Sequence, residues 1–166
     1  MPAPSATGRR WCRIGLVTLY DELRKVLDAL DRATVDYALV GGLAVAIWGA
    51  PRATRDIDLL VRPEDLSRAM AALHVGGFTL EGLPFDFKDG TRVQRVNKVD
   101  AAGGLMTVDF MIVDANLESA WSTRVRLPFA DRDVAVVSRD ALIAMKARAA
   151  RPQDIMDIQN LKDIDR

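Results

Sequence analysis

The chain has 166 residues, 49% of them hydrophobic and 28% charged, with 23 Lys and Arg balanced by 23 Asp and Glu. That length suits one domain with a real core, and the composition excludes a disordered chain. Zero formal charge argues against a broad non-specific nucleic-acid binder, while leaving room for a local basic groove.

A lone cysteine, Cys12, excludes an internal disulfide framework and suits a reducing cytoplasm. No apolar run reaches the ~18 residues that cross a bilayer. Arg9, Arg10 and Arg13 imitate the start of a signal peptide, but the apolar stretch 14–19 is short and Tyr20-Asp21-Glu22 interrupts it. Residues 1–10 read as a flexible tail before one domain over 11–166. Leu16, Leu19, Leu23, Val26, Leu27 and Leu30 recur at three- and four-residue spacings, which predicts an amphipathic helix over 16–32.

The stretch 35–61, VDYALVGGLAVAIWGAPRATRDIDLLV, carries the densest chemistry. It reads as a strand (35–40), a Gly41-Gly42 turn, a short apolar helix, a loop with Arg52, Thr54 and Arg55, and a strand bearing Asp56 and Asp58. A strand entering a glycine turn and then a helix makes a phosphate site, because the backbone can approach a ligand and offer unpaired N–H groups. Two apart on a strand, Asp56 and Asp58 share a face with Cα atoms roughly 7 Å apart. Both can reach one Mg²⁺ or a close metal pair. Arg52 and Arg55 either hold these carboxylates or bind triphosphate oxygens, for which a planar guanidinium is suited.

Pro63 with Glu64 and Asp65 opens a helix ending near His74 at Gly76-Gly77. His74 is the only histidine, which leaves a histidine triad or zinc cluster without material. Residues 78–90 are turn-rich, with short strands expected at 78–80 and 92–96. Lys88, Arg92, Arg95 and Lys98 form the most basic run after the arginine loop: either a solvated strand face or a wall for a phosphate-bearing ligand. Over 106–113, MTVDFMIV puts Asp109 in an otherwise apolar strand, where a lone carboxylate is costly to bury. It either meets an arginine or joins an acidic cluster. A short helix near 117–123 and a strand at 134–137 follow. Ser138 can cap a helix over 139–149, and Pro152 starts the last one.

Gly41-Gly42, thirteen intervening residues and Asp56-Ile57-Asp58-Leu59 resemble the signature of the nucleotidyltransferase (DNA polymerase β-like) superfamily. With Arg52, Thr54 and DIDLLV the stretch is most similar to its toxin-type and antibiotic-modifying branches. Val108-Asp109-Phe110 matches the superfamily's third aspartate on a neighbouring strand. Lys88 to Arg92, Lys146 and Arg151-Pro152-Gln153-Asp154 loosely resemble further motifs of the AbiEii-type toxins of type IV toxin–antitoxin systems. Gln153 stands where that motif has a lysine.

The resemblance implies a single α/β domain, a mixed sheet of about five strands flanked by helices and closed by C-terminal helices. It implies transfer of a nucleoside monophosphate from an NTP to an acceptor hydroxyl. Gly41, Gly42, Arg52, Thr54, Arg55 and Lys146 would bind nucleotide. Asp56, Asp58 and Asp109 would be catalytic and hold Mg²⁺ or Mn²⁺, with Asp109 as base or third ligand. The toxin branch implies a small-RNA acceptor and a cognate antitoxin protein. The alternatives are an aminoglycoside- or lincosamide-type small-molecule nucleotidyltransferase, or an inactive member serving as a binding partner. No membrane association is expected.

Overall fold

A computed structural model describes residues 8–164, with side chains from residue 19 onward. The tail expected at 1–10 lies outside the described residues up to residue 7, and residues 8–10 already belong to a helix, α1 (Gly8–Arg32). Its longer span has a simple cause: no proline follows Pro4 before residue 51, so nothing in this stretch ends the helix early. The anticipated stripe is the buried one. Leu19, Leu23, Val26, Leu27 and Leu30 all join the hydrophobic core. Each such side chain contributes roughly 1.5–3 kcal/mol relative to exposure.

The chain continues as β1 (Ala38–Val40), α2 (Gly41–Ile47), β2 (Asp56–Val61), a 3₁₀ turn (Pro63–Asp65) and α3 (Leu66–Val75). Then come β3 (Leu80–Glu81), β4 (Phe85–Asp86), β5 (Arg92–Val99), β6 (Leu105–Ile112) and α4 (Glu118–Ser122). A hairpin of β7 (Val125–Phe129) and β8 (Arg132–Val136) leads to α5 (Arg139–Ala149) and α6 (Pro152–Asp163). No described helix is long and apolar enough to cross a membrane.

The single mixed sheet has eight strands, in the order β3-β5-β6-β2-β1-β8-β7 with β4 also on β5. The α/β class is as expected, but the strand count of about five is not. β4 is two residues long, too short for any alternation to register. β7 contains Pro128, which tolerates only an edge position, and its turn uses Ala130 at φ 55 where a glycine would have signalled it.

β2 lies in the middle of the sheet, parallel to β6 and antiparallel to β1. Alternation sends Ile57, Leu59, Val108 and Phe110 into the core and leaves Asp56, Asp58, Thr107 and Asp109 on the opposite face.

Ser138 caps α5, its Oγ accepting from the Ala141 N–H at 3.3 Å. Between α5 and α6 lies a buried ion cluster. Lys146 Nζ is 3.2 Å from Asp154 and 2.6 Å from Asp157. Arg52, from the loop before β2, donates Nε and Nη2 to the two Asp157 oxygens at 2.7 and 2.9 Å. Arg151 reaches Asp154 at 2.7 Å, and Gln153 donates to Asp157 at 3.1 Å. Burial alone would raise both carboxyls, but the hydrogen bonds from Arg151 and Lys146 to Asp154, and from Arg52 and Lys146 to Asp157, hold them below the usual range. This cluster fastens the C-terminal helices to the loop that precedes the aspartates.

Asp157→Ala should therefore cost about 3–5 kcal/mol, since it removes the carboxylate partner of Arg52 and leaves Lys146 with Asp154 alone. Arg24→Ala, at an exposed pair with Asp131, should cost less than about 1 kcal/mol. Urea denaturation of both variants checks this, and equal costs would mean that apolar contacts alone hold the helices.

Candidate active site

The site begins where β1 runs out. Val40 pairs with Asp58, and the next residue, Gly41, turns the chain at φ 66. A Cβ on Gly41 would lie 2.0 Å from Asp58 Oδ2, so this position requires glycine for both its dihedral and its space. A Cβ on Gly42 would lie 2.7 Å from Thr54 Oγ1 and 3.1 Å from Arg52 Nη1. The glycine turn is thus packed against one aspartate on one side and the Arg/Thr loop on the other. Gly41 is half-buried and Gly42 is buried beneath Thr54.

In the parallel β2–β6 pair, Asp58 stands opposite Asp109 and Asp56 opposite Thr107. The register puts all three aspartates on one face of the sheet, but not as the three-carboxylate metal set expected of Asp56, Asp58 and Asp109. Asp58 is pushed up to about 7, first by burial and then by the like charges of Asp109 and Asp56; Lys146 and Arg151 oppose the rise. Asp56 is raised as well, by burial and by Asp109, against Arg95 and Arg55. Among the described residues, no hydrogen bond or ion pair reaches the side chain of either Asp56 or Asp58.

Asp109 differs. Both readings of it hold: it joins the acidic cluster and it meets an arginine. Arg95, its antiparallel neighbour on β5, donates Nε and Nη2 to the two carboxylate oxygens at 2.8 and 2.7 Å. Arg95 also lies over the Phe85 ring, 5.5 Å from its centroid. The sequence alone groups Arg95 only with the basic run. Its role as the partner of Asp109 depends on a β5–β6 register that no local pattern announces.

The other candidates are distributed unevenly. Thr54 is half-buried against Gly42, and Arg55 is exposed with its charge acting on Asp56. Arg52 and Lys146 sit behind the site, engaged with Asp157 and Asp154. Arg151, which sequence reasoning weighed only as part of a motif, adds its charge near Asp58. The basic run does not form one wall. Alternation along β5 turns Arg95 to the site and Lys98 to the opposite face, where Lys98 pairs with Glu22 and lies 4.8 Å from the Phe78 ring centroid. Arg92 is 3.8 Å from Asp86, and Lys88 is exposed in a turn.

The donor set fits a hard divalent cation. Asp56 and Asp58 are crowded carboxylates with raised proton affinity and no direct cationic partner, and Mg²⁺ is commonly held by one or two carboxylates plus substrate phosphates. Among the described residues no three acidic, His or Cys side chains converge closely enough to enclose a metal by themselves. The remaining ligands would come from a triphosphate and water.

The family model for aminoglycoside-2''-adenylyltransferases matches residues 22–161. The chain belongs to this family. It is a nucleotidyltransferase, and the matched span runs from within α1 to within α6, taking in all three aspartates. Solved structures share the fold at low identity. The lincosamide antibiotic adenylyltransferase LnuA, with lincomycin bound, superposes with a TM-score of 0.60 at 19% identity, over 87% of this chain and 96% of that one. ANT(2'')-Ia in complex with adenylyl-2''-tobramycin gives 0.61 at 18% identity, over 87% of each chain. A nucleotidyltransferase structure from Thermotoga maritima gives 0.62 at 16% identity, over 86% of this chain and 91% of that one. No curated protein is significantly similar to the chain.

The raised Asp58 fixes a pH dependence for the metal-free protein. Its folded value, about 7, exceeds the ordinary 3.8, so the neutral acid is the form the fold favours. The associated stability is fully present below pH 3.8 and is lost as pH rises through about 7. With a chelator present, the melting temperature should fall by a few degrees between pH 5 and pH 8 from this group. Asp58→Asn should lack that component. A wild-type and variant slope of equal size would show that Asp58 is not the group responsible.

Proposed function

We propose that the protein transfers a nucleoside monophosphate from an NTP to a hydroxyl of a small cationic acceptor of the aminoglycoside or lincosamide kind, with Mg²⁺ or Mn²⁺ bound. The observation that carries this reading is the acidic face itself: Asp56, Asp58 and Asp109 gathered beside a glycine turn, with Arg95 alone in direct contact with them among the described residues. The bond from the acceptor oxygen to the α-phosphorus forms as the α-phosphorus–oxygen bond to pyrophosphate breaks. The divalent ion supplies charge neutralisation on the triphosphate when bound. Asp56 and Asp58 are the residues to hold it, and Gly41 lets the backbone come close to a phosphate. Asp109 is the residue to receive the acceptor hydroxyl's proton. Arg55 adds a cation at the entrance, and Arg52 with Thr54 fixes the glycine turn from behind.

The choice of acceptor follows from charge. A phosphate-bearing acceptor such as small RNA needs a continuous basic surface, and the run that suggested one is divided between two faces and matched with acids. A cationic acceptor instead suits a carboxylate-rich face, and of the three aspartates only Asp109 is in direct contact with a cation among the described residues. The family match and the antibiotic-bound neighbours support the same direction. An antitoxin partner gains no support from the structure.

The test is a transfer assay with each α-labelled NTP, Mg²⁺, and separate pools of aminoglycosides, lincosamides and small RNA. Label should appear on an antibiotic, require the metal, and fall by about 100-fold or more in Asp58→Asn. Labelling confined to RNA would overturn the acceptor assignment, and metal-independent labelling would overturn the roles of Asp56 and Asp58.

A further inference from the structure

The three aspartates have one direct cationic neighbour among the described residues, and it is a side chain with somewhere else to go. Arg95 engages both oxygens of Asp109, a carboxylate with only 4% of its side-chain surface exposed, while 40% of Arg95's own side chain remains open. Lys146 and Arg151 influence Asp58 from a distance, but they are committed to Asp154 and Asp157. Arg95 also feels Asp56 and Asp58 as well as Asp109. In charge terms it stands where the acid cluster calls for a cation.

A bidentate guanidinium takes one of the two lone-pair sites on each Asp109 oxygen and neutralises the carboxylate's charge. A divalent cation approaching the cluster therefore meets one carboxylate already matched and a positive charge beside it. A purely structural arginine would be expected to lie buried and multiply bonded. Arg95 instead is half-exposed against Phe85, on the two-residue strand β4, and among the described residues its ion pair is with Asp109 alone.

We propose that Arg95 is the resident counter-ion of the acid cluster, its charge opposing a divalent cation at Asp56 and Asp58 and so coupling cation binding to nucleotide binding. The proposal rests on the nucleotidyl-transfer reading above. Without nucleotide, Arg95 neutralises Asp109 and its charge opposes a divalent cation on the neighbouring aspartates. A triphosphate offers the guanidinium another anion, so Arg95 can leave Asp109 as nucleotide and cation arrive together. Coupling of this kind is reciprocal: the nucleotide strengthens cation binding by the factor by which the cation strengthens nucleotide binding.

Mn²⁺ binding to the full chain, measured by the resonance of free Mn²⁺ and by calorimetry, tests this without turnover. Without nucleotide, Arg95→Gln should bind Mn²⁺ about tenfold tighter than wild type. A non-hydrolysable ATP analogue should strengthen Mn²⁺ binding in wild type and much less in Arg95→Gln. Adding Asp109→Asn should erase the variant's gain. Metal-free Arg95→Gln should melt lower than wild type, because Asp109 is left unpaired, and recover on Mn²⁺ addition. Should it fail to fold, Arg95→Lys decides, since a lysine lacks the paired donors and should give an intermediate gain. Unchanged or weaker Mn²⁺ binding in a folded Arg95 variant, or a gain that survives Asp109→Asn, would overturn the proposal. If instead Mn²⁺ binds neither protein, with or without nucleotide, and Asp58→Asn changes nothing, the nucleotidyl-transfer reading itself fails.

Discussion

Carboxylates that share a poorly hydrated face repel one another, and β2 and β6 put Asp58 beside Asp109 with Asp56 two residues along the same strand face. The surroundings can be understood as answers to that repulsion. Arg95 neutralises Asp109 directly. Lys146 and Arg151 lower the cost at Asp58 through space, yet leave it high enough to titrate near 7. The repulsion that remains is a latent affinity for a cation, stored in the fold by the strand register.

The C-terminal helices contribute to both stability and chemistry through one set of charges. Arg52, Lys146 and Arg151 face Asp154 and Asp157, three cations against two carboxylates, so the cluster carries one positive charge in excess. Its pairs fasten α5 and α6 to the loop that presents Thr54 over Gly42. Its excess charge acts on Asp58. A buried ion network gives little net stability compared with apolar packing, but breaking one partner is expensive, and that makes it a sensitive positioning device.

Two glycines complete the arrangement. Gly41 allows the Asp58 carboxylate to lie against the backbone, and Gly42 allows Thr54 and Arg52 to close over the start of α2. Nucleotidyl transfer depends chiefly on positioning and charge neutralisation, and this corner of the sheet is built from those two ingredients.

Local sequence determined the pieces whose physics is local. The helical spacing of the α1 leucines, the Gly41-Gly42 turn, the shared face of Asp56 and Asp58, the Ser138 cap and the Pro152 start were all legible because each depends on neighbours within a few residues. Asp109 could be singled out too, as a charge in an apolar strand, but its partner could not. The pairing with Arg95 spans 14 residues and follows from the β5–β6 register. The Arg52–Asp157 pair spans 105 residues and exists only once α6 has docked. Sequence distance likewise hid the partner of Lys98, which finds Glu22 on α1 across 76 residues. Short-range periodicity sets which face a side chain takes, whereas long-range packing sets which charge it meets there. For this protein, the sequence named the carboxylates, and the tertiary structure decided which cations accompany them.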